Sequence, residues 1–421
     1  MPVKTLEAWL GHLEHAHSKP IDLSLERAAA VAARMGLRCA GKILTVAGTN
    51  GKGSTVAAVN ALLRAAGVTV GVFTSPHIRV FNERIVINDK PASDQAIVSA
   101  FEAIDDARGD ISLTYYEFSA LAAAYLFDRA HLDVWILEVG LGGRLDAVNI
   151  FDADVTVITS IDLDHQDYLG DTRDLIAIEK AGVARANASC VVAESDLPST
   201  LLPELTRLGA TIYCVNEDYE IELDQTHWSG TWRGPSGSFT LNDVPRTALL
   251  PSNLGAAVQA LICLNYDLPL VTNTVLSSLE VPGRRQIREY RERTVLLDVA
   301  HNPAAIRALI EFMQVRFPGR SCRAVFSAMN DKDTGTMLRC ATDVIKDWYL
   351  ADQSENPRVA RAIDLQLGLQ GISGCTSHCY TSVAQACQAM WQASEKEDVL
   401  LIIGSFTTVA AFEVWTDQAE S

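Results

Sequence analysis

Short apolar runs rich in β-branched residues alternate along this chain with longer stretches rich in alanine and leucine, and nothing else in the sequence limits the fold as much. KILTVAG (42–48), VTVGVFTS (68–75), VWILEVG (134–140), ADVTVITSI (153–161), CVVAES (190–195) and TIYCV (211–215) read as strands; stretches such as STVAAVNALLRAAG between them read as helices. These runs are apolar at nearly every position, the pattern of strands buried on both faces. The prediction is an α/β fold: an N-terminal P-loop-type, doubly wound, mostly parallel sheet covered by helices. RIVINDKPA (84–92) reads as a small inserted hairpin, and residues 216–247, rich in Gly, Trp, Thr and turn residues, as a small antiparallel sheet at the edge.

At 421 residues the chain exceeds what one core usually holds. A second α/β series follows the charged stretch VPGRRQIREYRER (281–293), with candidate strands TVLLDVA (294–300), CRAVFSAM (322–329), DWYLAD (347–352) and DVLLIIGSF (398–406). We therefore expect a larger domain over 1–289 and a smaller Rossmann-like α/β domain over 290–421, joined by a short charged linker. Clefts between such domains are common ligand sites.

Lys+Arg number 35 against Asp+Glu 52, a formal charge of -17. So negative a body repels nucleic-acid backbones and anionic membranes, although a few cations focused in a cleft can still bind small anions. No apolar run reaches the ~20 residues needed to span a bilayer. The nine scattered cysteines fit reduced thiols and a cytoplasmic protein. Cys375, His378 and Cys379 lie close together, but no second pair stands at zinc-site spacing, so they are expected to be ordinary residues. At the N-terminus, MPVKTLEAWLGHLEHAH has no signal-peptide pattern; Leu6, Trp9, Leu10 and Leu13 have the spacing of an amphipathic helix, with His12, His15 and His17 expected on its solvated side.

The segment most informative about chemistry is VAGTNGKGST (46–55), between a strand and a helix. Its glycines let the backbone wrap an anion while the helix start adds partial positive charge. Thr49, Asn50, Gly51, Lys52, Gly53 and Ser54 thus form a candidate nucleotide cradle, with Lys52 reaching the β- and γ-phosphates. The strict phosphate-loop pattern is not met: Val46 replaces the first glycine and Gly53 follows Lys52. Glu138 ends the strand VWILE, a usual place for a carboxylate that holds a divalent cation on a nucleotide.

These segments, in order and spacing, resemble the Mur ligase superfamily, and within it the folylpolyglutamate synthase/dihydrofolate synthase family. The matching pieces are IDLSLER (21–27), TVAGTNGKGS (45–54), TSPH (74–77), LEVGLGGRLDAVN (137–149), TSIDLDHQDYLG (159–170), EKAG (179–182), PGRRQ (282–286), DVAHNP (298–303) and GSF (404–406). The resemblance implies an ATP-dependent ligase that joins L-glutamate to dihydropteroate or a reduced folate, acting as a monomer without nucleic-acid or membrane partners.

It further implies two Mg²⁺ ions, held among Ser75, Glu138, His165 and Lys180, the last as a carbamate. Read by itself, His165 is equally well a hydrogen-bonded loop histidine, and Lys180 an ordinary salt-bridge residue. His77 is expected to be structural. Asn253, Arg284 and Asp298 would touch the nucleotide, and His301 and Ser405 the amino acid or phosphate. Asp22, Leu23, Ser24 and Leu25, with Thr114, Tyr115, Tyr116, Glu117 and Leu145, would border the pterin. Thr114 and Glu117 also have capping-box spacing, and Asn253 has the look of a helix-start residue. Two positions depart from the family pattern: Ser24 stands for a frequent Gly, and Thr407 for a frequent His.

Three rival readings exist. The segment before the phosphate loop is too short for the UDP-sugar domain of a peptidoglycan-type Mur ligase. A monofunctional folylpolyglutamate synthase is closer, and IDLSLER favours the bifunctional enzyme. A nucleotide-driven regulatory protein would cleave ATP independently of glutamate.

Overall fold

The structure, a computed structural model, describes residues 5–19, 21–234 and 237–420. Residues 1–4 of the N-terminal stretch, and Pro235 and Ser236 of the expected antiparallel segment, lie outside the described residues. The chain divides into two compact units, Met1–Leu279 and Glu280–Ser421.

The first unit is built on an eight-stranded sheet. Its strands are β1 (Lys42–Ala47), β2 (Val70–Phe73), β3 (Ile85–Ile87), β4 (Lys90–Pro91), β5 (Val134–Glu138), β6 (Val155–Ile158), β7 (Ser189–Val192) and β8 (Thr211–Cys214). Their order is β4-β3-β2-β5-β1-β6-β7-β8. All neighbours run parallel except β2–β3 and β3–β4, the expected hairpin, which adds an antiparallel edge. β1, the central strand, pairs with β5 (Val46 opposite Glu138) and with β6 (Ala47 opposite Ile158), so the three strand ends lie level at one sheet edge.

One sheet face, through Ile43, Ala47, Phe73, Trp135 and Leu137, packs on helices 94–108 and 115–130. Helix Leu6–Leu13 buries Leu6, Trp9 and Leu13 in the same core, with the Trp9 ring 5.9 Å from Phe101. Helix Lys52–Ala65 lies against β1, β2 and β5 and packs with helix Pro251–Cys263.

The strands expected from residues 216–247 form a sheet of their own: β9 (Tyr219–Leu223), β10 (His227–Gly234) and β11 (Gly237–Pro245), in the order β11-β10-β9. Its hydrophobic face is turned to helix 251–263, where buried Trp232 donates its indole N–H to Gly255 O at 2.9 Å.

The second unit holds six strands: β12 (Gln286–Tyr290), β13 (Arg293–Asp298), β14 (Cys322–Phe326), β15 (Ile345–Ala351), β16 (Thr376–Tyr380) and β17 (Val399–Ile403). The order β12-β13-β17-β14-β15-β16 is parallel apart from the β12–β13 hairpin. That hairpin corrects the expected boundary. Residues 286–290, read as linker because of their charge, are an edge strand, and 289/290 falls inside a paired structure rather than at a hinge. Charged residues suit an edge strand, where one face is wet. β16, with the sequence TSHCY and largely exposed, has no apolar signature. It takes up His378 and Cys379, while the Cys375 thiol faces the carbonyls of Thr342 and Ile345.

Candidate active site

Parallel strands place their carboxyl ends on one edge, and ligands of such sheets bind in the crevice where neighbours depart in different directions. Here the crevice opens at the end of β1, between β5 and β6. Residues 48–52 leave β1 and turn into helix 52–65 through two glycines in unusual conformations, Gly48 (φ 152) and Gly51 (φ 90). A side chain at Gly48 would overlap Thr159 Oγ1, and one at Gly51 would overlap the Asn253 amide. Gly51 is the N-cap of the helix and no side chain caps it, so the first-turn amides are left for an external acceptor.

The loop is braced from the β6 side. Thr49 N donates to Ser160 O (2.7 Å) and Asn50 N to Ser160 Oγ (3.0 Å). Thr159 Oγ1 donates to Asn50 O (2.7 Å), and Asp162 N to Thr49 Oγ1 (3.0 Å). The Lys52 ammonium folds over its own loop, donating to Gly48 O (2.9 Å) and Thr49 O (3.2 Å). Asn253 is the third residue of helix 251–263, whose N-cap is Leu250. It does not cap that helix, as its place near the start suggested. Its buried side chain instead lies against Gly51.

Glu138 is buried at the end of β5, and its Oε2 accepts the Ser75 N–H at 3.1 Å, so the TSPH segment after β2 lies beside it. His77, expected to be structural, accepts from Arg84 Nε on Nδ1 at 2.8 Å, and burial pushes it down to about 4, so it is neutral. His165, with φ 51, precedes the short helix Gln166–Leu169 on the loop after β6; its Nε2 is 4.0 Å from Asp164 Oδ1. Among the described residues, one trio of His, Cys, Asp or Glu falls within metal-ligand reach of one another, and it is Cys214, Glu217 and Asp218. Glu138 and His165 are therefore not gathered with a third such residue in this structure.

Lys180 lies in the last turn of the helix Arg173–Ala181 and is 3% exposed. Burial, reinforced by the neighbouring charge of Lys52, pushes its ammonium down to about 7. Lys180 thus sits within electrostatic reach of Lys52, Asp164 and Asp146. This is no surface salt bridge; it is a buried amine whose pKa is lowered by desolvation.

The segments expected to border a pterin are tied to one another by hydrogen bonds and an ion pair. The Thr114–Glu117 capping box forms: Glu117 N donates to Thr114 Oγ1 (3.1 Å) and Thr114 N to Glu117 Oε2 (2.7 Å). Arg27 donates to Asp22 Oδ2 (2.9 Å) and lies 3.2 Å from Glu117, tying the two segments together. His17, expected to face solvent, is instead held between Asp22 Oδ2 (3.1 Å) and Ser112 Oγ (2.7 Å). Leu23, Ser24 and Leu25 are half-buried beside them, as is Leu145 in its loop after β5.

Asp146, which the sequence did not single out, is a second buried carboxylate. It accepts from Tyr116 OH (2.9 Å) and from the backbone N–H groups of Gly140 (2.9 Å), Leu141 (3.0 Å) and Val148 (3.0 Å). It shapes the glycine-rich turn after Glu138, yet burial outweighs these bonds and pushes its pKa up to about 6.

The other expected residues belong to the second unit, at the adjacent ends of β13 and β17. Asp298 is buried and accepts the N–H groups of Arg285 (2.8 Å) and Ala300 (2.7 Å); burial raises its pKa although Arg285 and Arg284 oppose this. Arg284 stacks over the Phe406 ring at 5.1 Å, and His301 lies 6.2 Å from the same ring. Ser405 is occupied locally: its hydroxyl accepts Thr408 N–H (3.1 Å) and bonds Thr407 Oγ1 (2.9 Å).

A glycine cradle at a sheet switch point, with a carboxylate and a depressed lysine at its rim, is the equipment of a nucleotide-dependent ligase. Two family models match the chain: the Mur ligase middle domain over residues 46–218 and the Mur ligase glutamate ligase domain over 283–406. The dihydrofolate synthase/folylpolyglutamate synthase of Escherichia coli is 41% identical, the match covering 96% of this chain and 94% of the relative. That of Haemophilus influenzae is 36% identical over 97% and 96%. Among solved structures, E. coli FolC in complex with DHPP and ADP superposes with a TM-score of 0.94 at 40% identity, covering 99% of both chains. A bifunctional folylpolyglutamate synthase/dihydrofolate synthase with Mn, AMPPNP and L-glutamate bound gives 0.90 at 39%, covering 97% of both. The chain belongs to the dihydrofolate synthase/folylpolyglutamate synthase family of Mur ligases.

Proposed function

We propose that this protein is an ADP-forming ligase that adds L-glutamate to dihydropteroate, giving dihydrofolate, and to the γ-carboxylate of reduced folates. The observation that carries this reading is the family match along nearly the whole chain, combined with a complete phosphate cradle. The carboxylate of the acceptor attacks the γ-phosphoryl group of ATP, giving an acyl phosphate and ADP. The amine of glutamate then attacks the acyl carbon, and phosphate leaves. A carboxylate oxygen is a poor leaving group until phosphorylated, which is why ATP is consumed.

Every reactant is an anion. Two unit charges 4 Å apart repel by about 4 kcal/mol at an effective dielectric of 20, so the site must supply positive charge. The loop Thr49–Ser54 holds the triphosphate: Thr49 and Asn50 are braced against Ser160 and shape the turn, while the backbone N–H groups of Gly51, Gly53 and Ser54, with Lys52 and Asn253, face the phosphates. We also assign Arg284 and Asp298 to nucleotide binding, and His301 and Ser405 to glutamate binding.

A divalent cation fits the donors at the crevice: the Glu138 carboxylate and the Ser75 hydroxyl are hard oxygen donors of the kind Mg²⁺ takes, and the His165 imidazole adds a nitrogen donor of borderline character. We assign Mg²⁺, up to two ions, to these groups, where it would neutralise the phosphates. Lys180 joins them as a carbamate, for which its amine, lowered to about 7, is prepared. Asp22, Leu23, Ser24 and Leu25, with Thr114, Tyr115, Tyr116, Glu117 and Leu145, border the pterin. We place the enzyme, a monomer, in the cytoplasm; its nine cysteines are all unpaired, and among the described residues no helix is long and apolar enough to cross a membrane.

The test is phosphate release with ATP, Mg²⁺, dihydropteroate and L-glutamate, omitting each in turn. Turnover should require all four. Glutamate-independent release would remove the ligase reading, and activity with tetrahydrofolate but not dihydropteroate would leave only polyglutamylation.

A further inference from the structure

The loop from β2 to β3 holds a cation that the nucleotide chemistry above leaves unused. Arg84 is only 9% exposed. Among the described residues its side chain makes one hydrogen bond, from Nε to His77 Nδ1 at 2.8 Å, so both terminal amino groups of the guanidinium lack a protein acceptor. The adjacent acid, Glu83, does not serve: its carboxylate accepts the N–H groups of Ile78 (2.7 Å), Arg79 (2.8 Å) and Val80 (2.8 Å). Burying a guanidinium is costly unless an anion completes it.

Its surroundings fix the group while leaving that end open. The guanidinium carbon lies 5.6 Å from the centre of the Phe81 ring and 5.4 Å from that of Tyr115, cation–π contacts that hold its plane. Tyr115 begins the helix whose first turn borders the proposed pterin site. Glu138 and Tyr116 lie within electrostatic reach of the same cation. Arg84 is thus within reach of both the pterin wall, through Tyr115, and the carboxylate assigned to the cation, Glu138. A pteroate must span those two places, with its pterin at one and its carboxylate meeting the γ-phosphate at the other.

We propose that Arg84 binds the carboxylate of the pteroate or folate substrate and orients it for phosphorylation, and that His77 is a positioning residue that holds Arg84. This rests on the ligase reading above. A guanidinium presents two parallel N–H donors that match a carboxylate, which the compact ammonium of a lysine does not. In this assignment Arg84 pairs with the pteroate and not with the nucleotide, so the two substrates can be separated experimentally.

The experiment measures binding to the ADP-loaded protein by calorimetry, using dihydropteroate and its anilino analogue, identical but for the missing carboxylate. The wild-type protein should prefer dihydropteroate. Arg84→Ala should lose about ten- to a hundredfold in dihydropteroate affinity, the worth of a charged hydrogen-bonded pair, with analogue and ADP affinities unchanged. Arg84→Lys, which keeps the charge should the alanine variant not fold, should lose most of the same preference. His77→Gln, which retains an acceptor for Nε, should keep dihydropteroate affinity within a few-fold, whereas His77→Leu should follow Arg84→Ala.

Equal weakening of dihydropteroate and the analogue would show a merely structural role and overturn the inference, as would unchanged dihydropteroate affinity or loss of ADP affinity instead. A wild-type protein that bound no dihydropteroate would overturn the ligase reading as well.

Discussion

Two helices of this molecule start in the same topological setting and are used differently. Helix 52–65 follows β1 and helix 406–420 follows β17, each after a parallel strand and a glycine at positive φ, Gly51 (90) and Gly404 (111). At the first, no side chain caps the amides, and the loop is braced from outside by Thr159, Ser160 and Asp162. At the second, the Ser405 hydroxyl accepts Thr408 N–H at 3.1 Å. A helix start becomes an anion site when its own residues decline to satisfy it and neighbouring elements hold it in shape. The difference lies in one residue type, glycine against serine, at the turn into the helix.

The comparison can be broken at its strongest point. Gly48→Ala places a methyl group on Thr159 Oγ1, and Lys52→Ala removes the ammonium over the loop. Both should lower kcat/KM in the phosphate-release assay by about a thousandfold or more, Lys52→Ala without a change in melting temperature. Retained turnover in Lys52→Ala would show that the open amides alone suffice.

Asp146→Asn should destabilise the fold by about 1–3 kcal/mol, because one amide N–H must face the backbone donors that the carboxylate now accepts. The wild-type group also carries a pH signature. Its folded pKa, about 6, is above the ordinary 3.8. Its contribution is therefore complete below 3.8 and is lost as pH rises through 6. Denaturant titrations across that window should show a slope in the wild-type protein that Asp146→Asn lacks.

A smaller effect is expected at the second helix. Ser405→Ala should cost about 1 kcal/mol of stability, the worth of an N-cap, with nucleotide affinity unchanged. The smallest belongs to the pterin side, where His17→Ala should raise the KM for dihydropteroate a few-fold and leave that for ATP alone. An equal rise in both would mean that His17 supports the whole unit.

Much of the architecture was legible in the sequence because buried parallel strands are written in apolar residues. The elements that escaped are those whose stability comes from elsewhere. β16 (TSHCY) is an exposed edge strand held by backbone pairing to β15, and β12 is masked by its charged pair Arg288 and Glu289. In the site, the glycine loop and the strand-end glutamate announce themselves by position. Asp146, Arg84 and His17 do not: each becomes informative only when the chain has folded around it, Asp146 by four donors, Arg84 by terminal amino groups that meet no acceptor among the described residues, His17 by the distant Ser112. The nearest local signals were the LGGRLDAVN and TSPH segments in which Asp146 and His77 lie.

The bracing of the phosphate loop has a consequence for how tightly a nucleotide is held. Because Thr49 and Asn50 are locked to the β6 tail when the protein folds, their conformational freedom is surrendered then. An incoming triphosphate meets a rigid mould and loses little of its binding strength to ordering the protein. Nucleotide affinity in this enzyme is accordingly settled in the folding reaction, long before any substrate arrives.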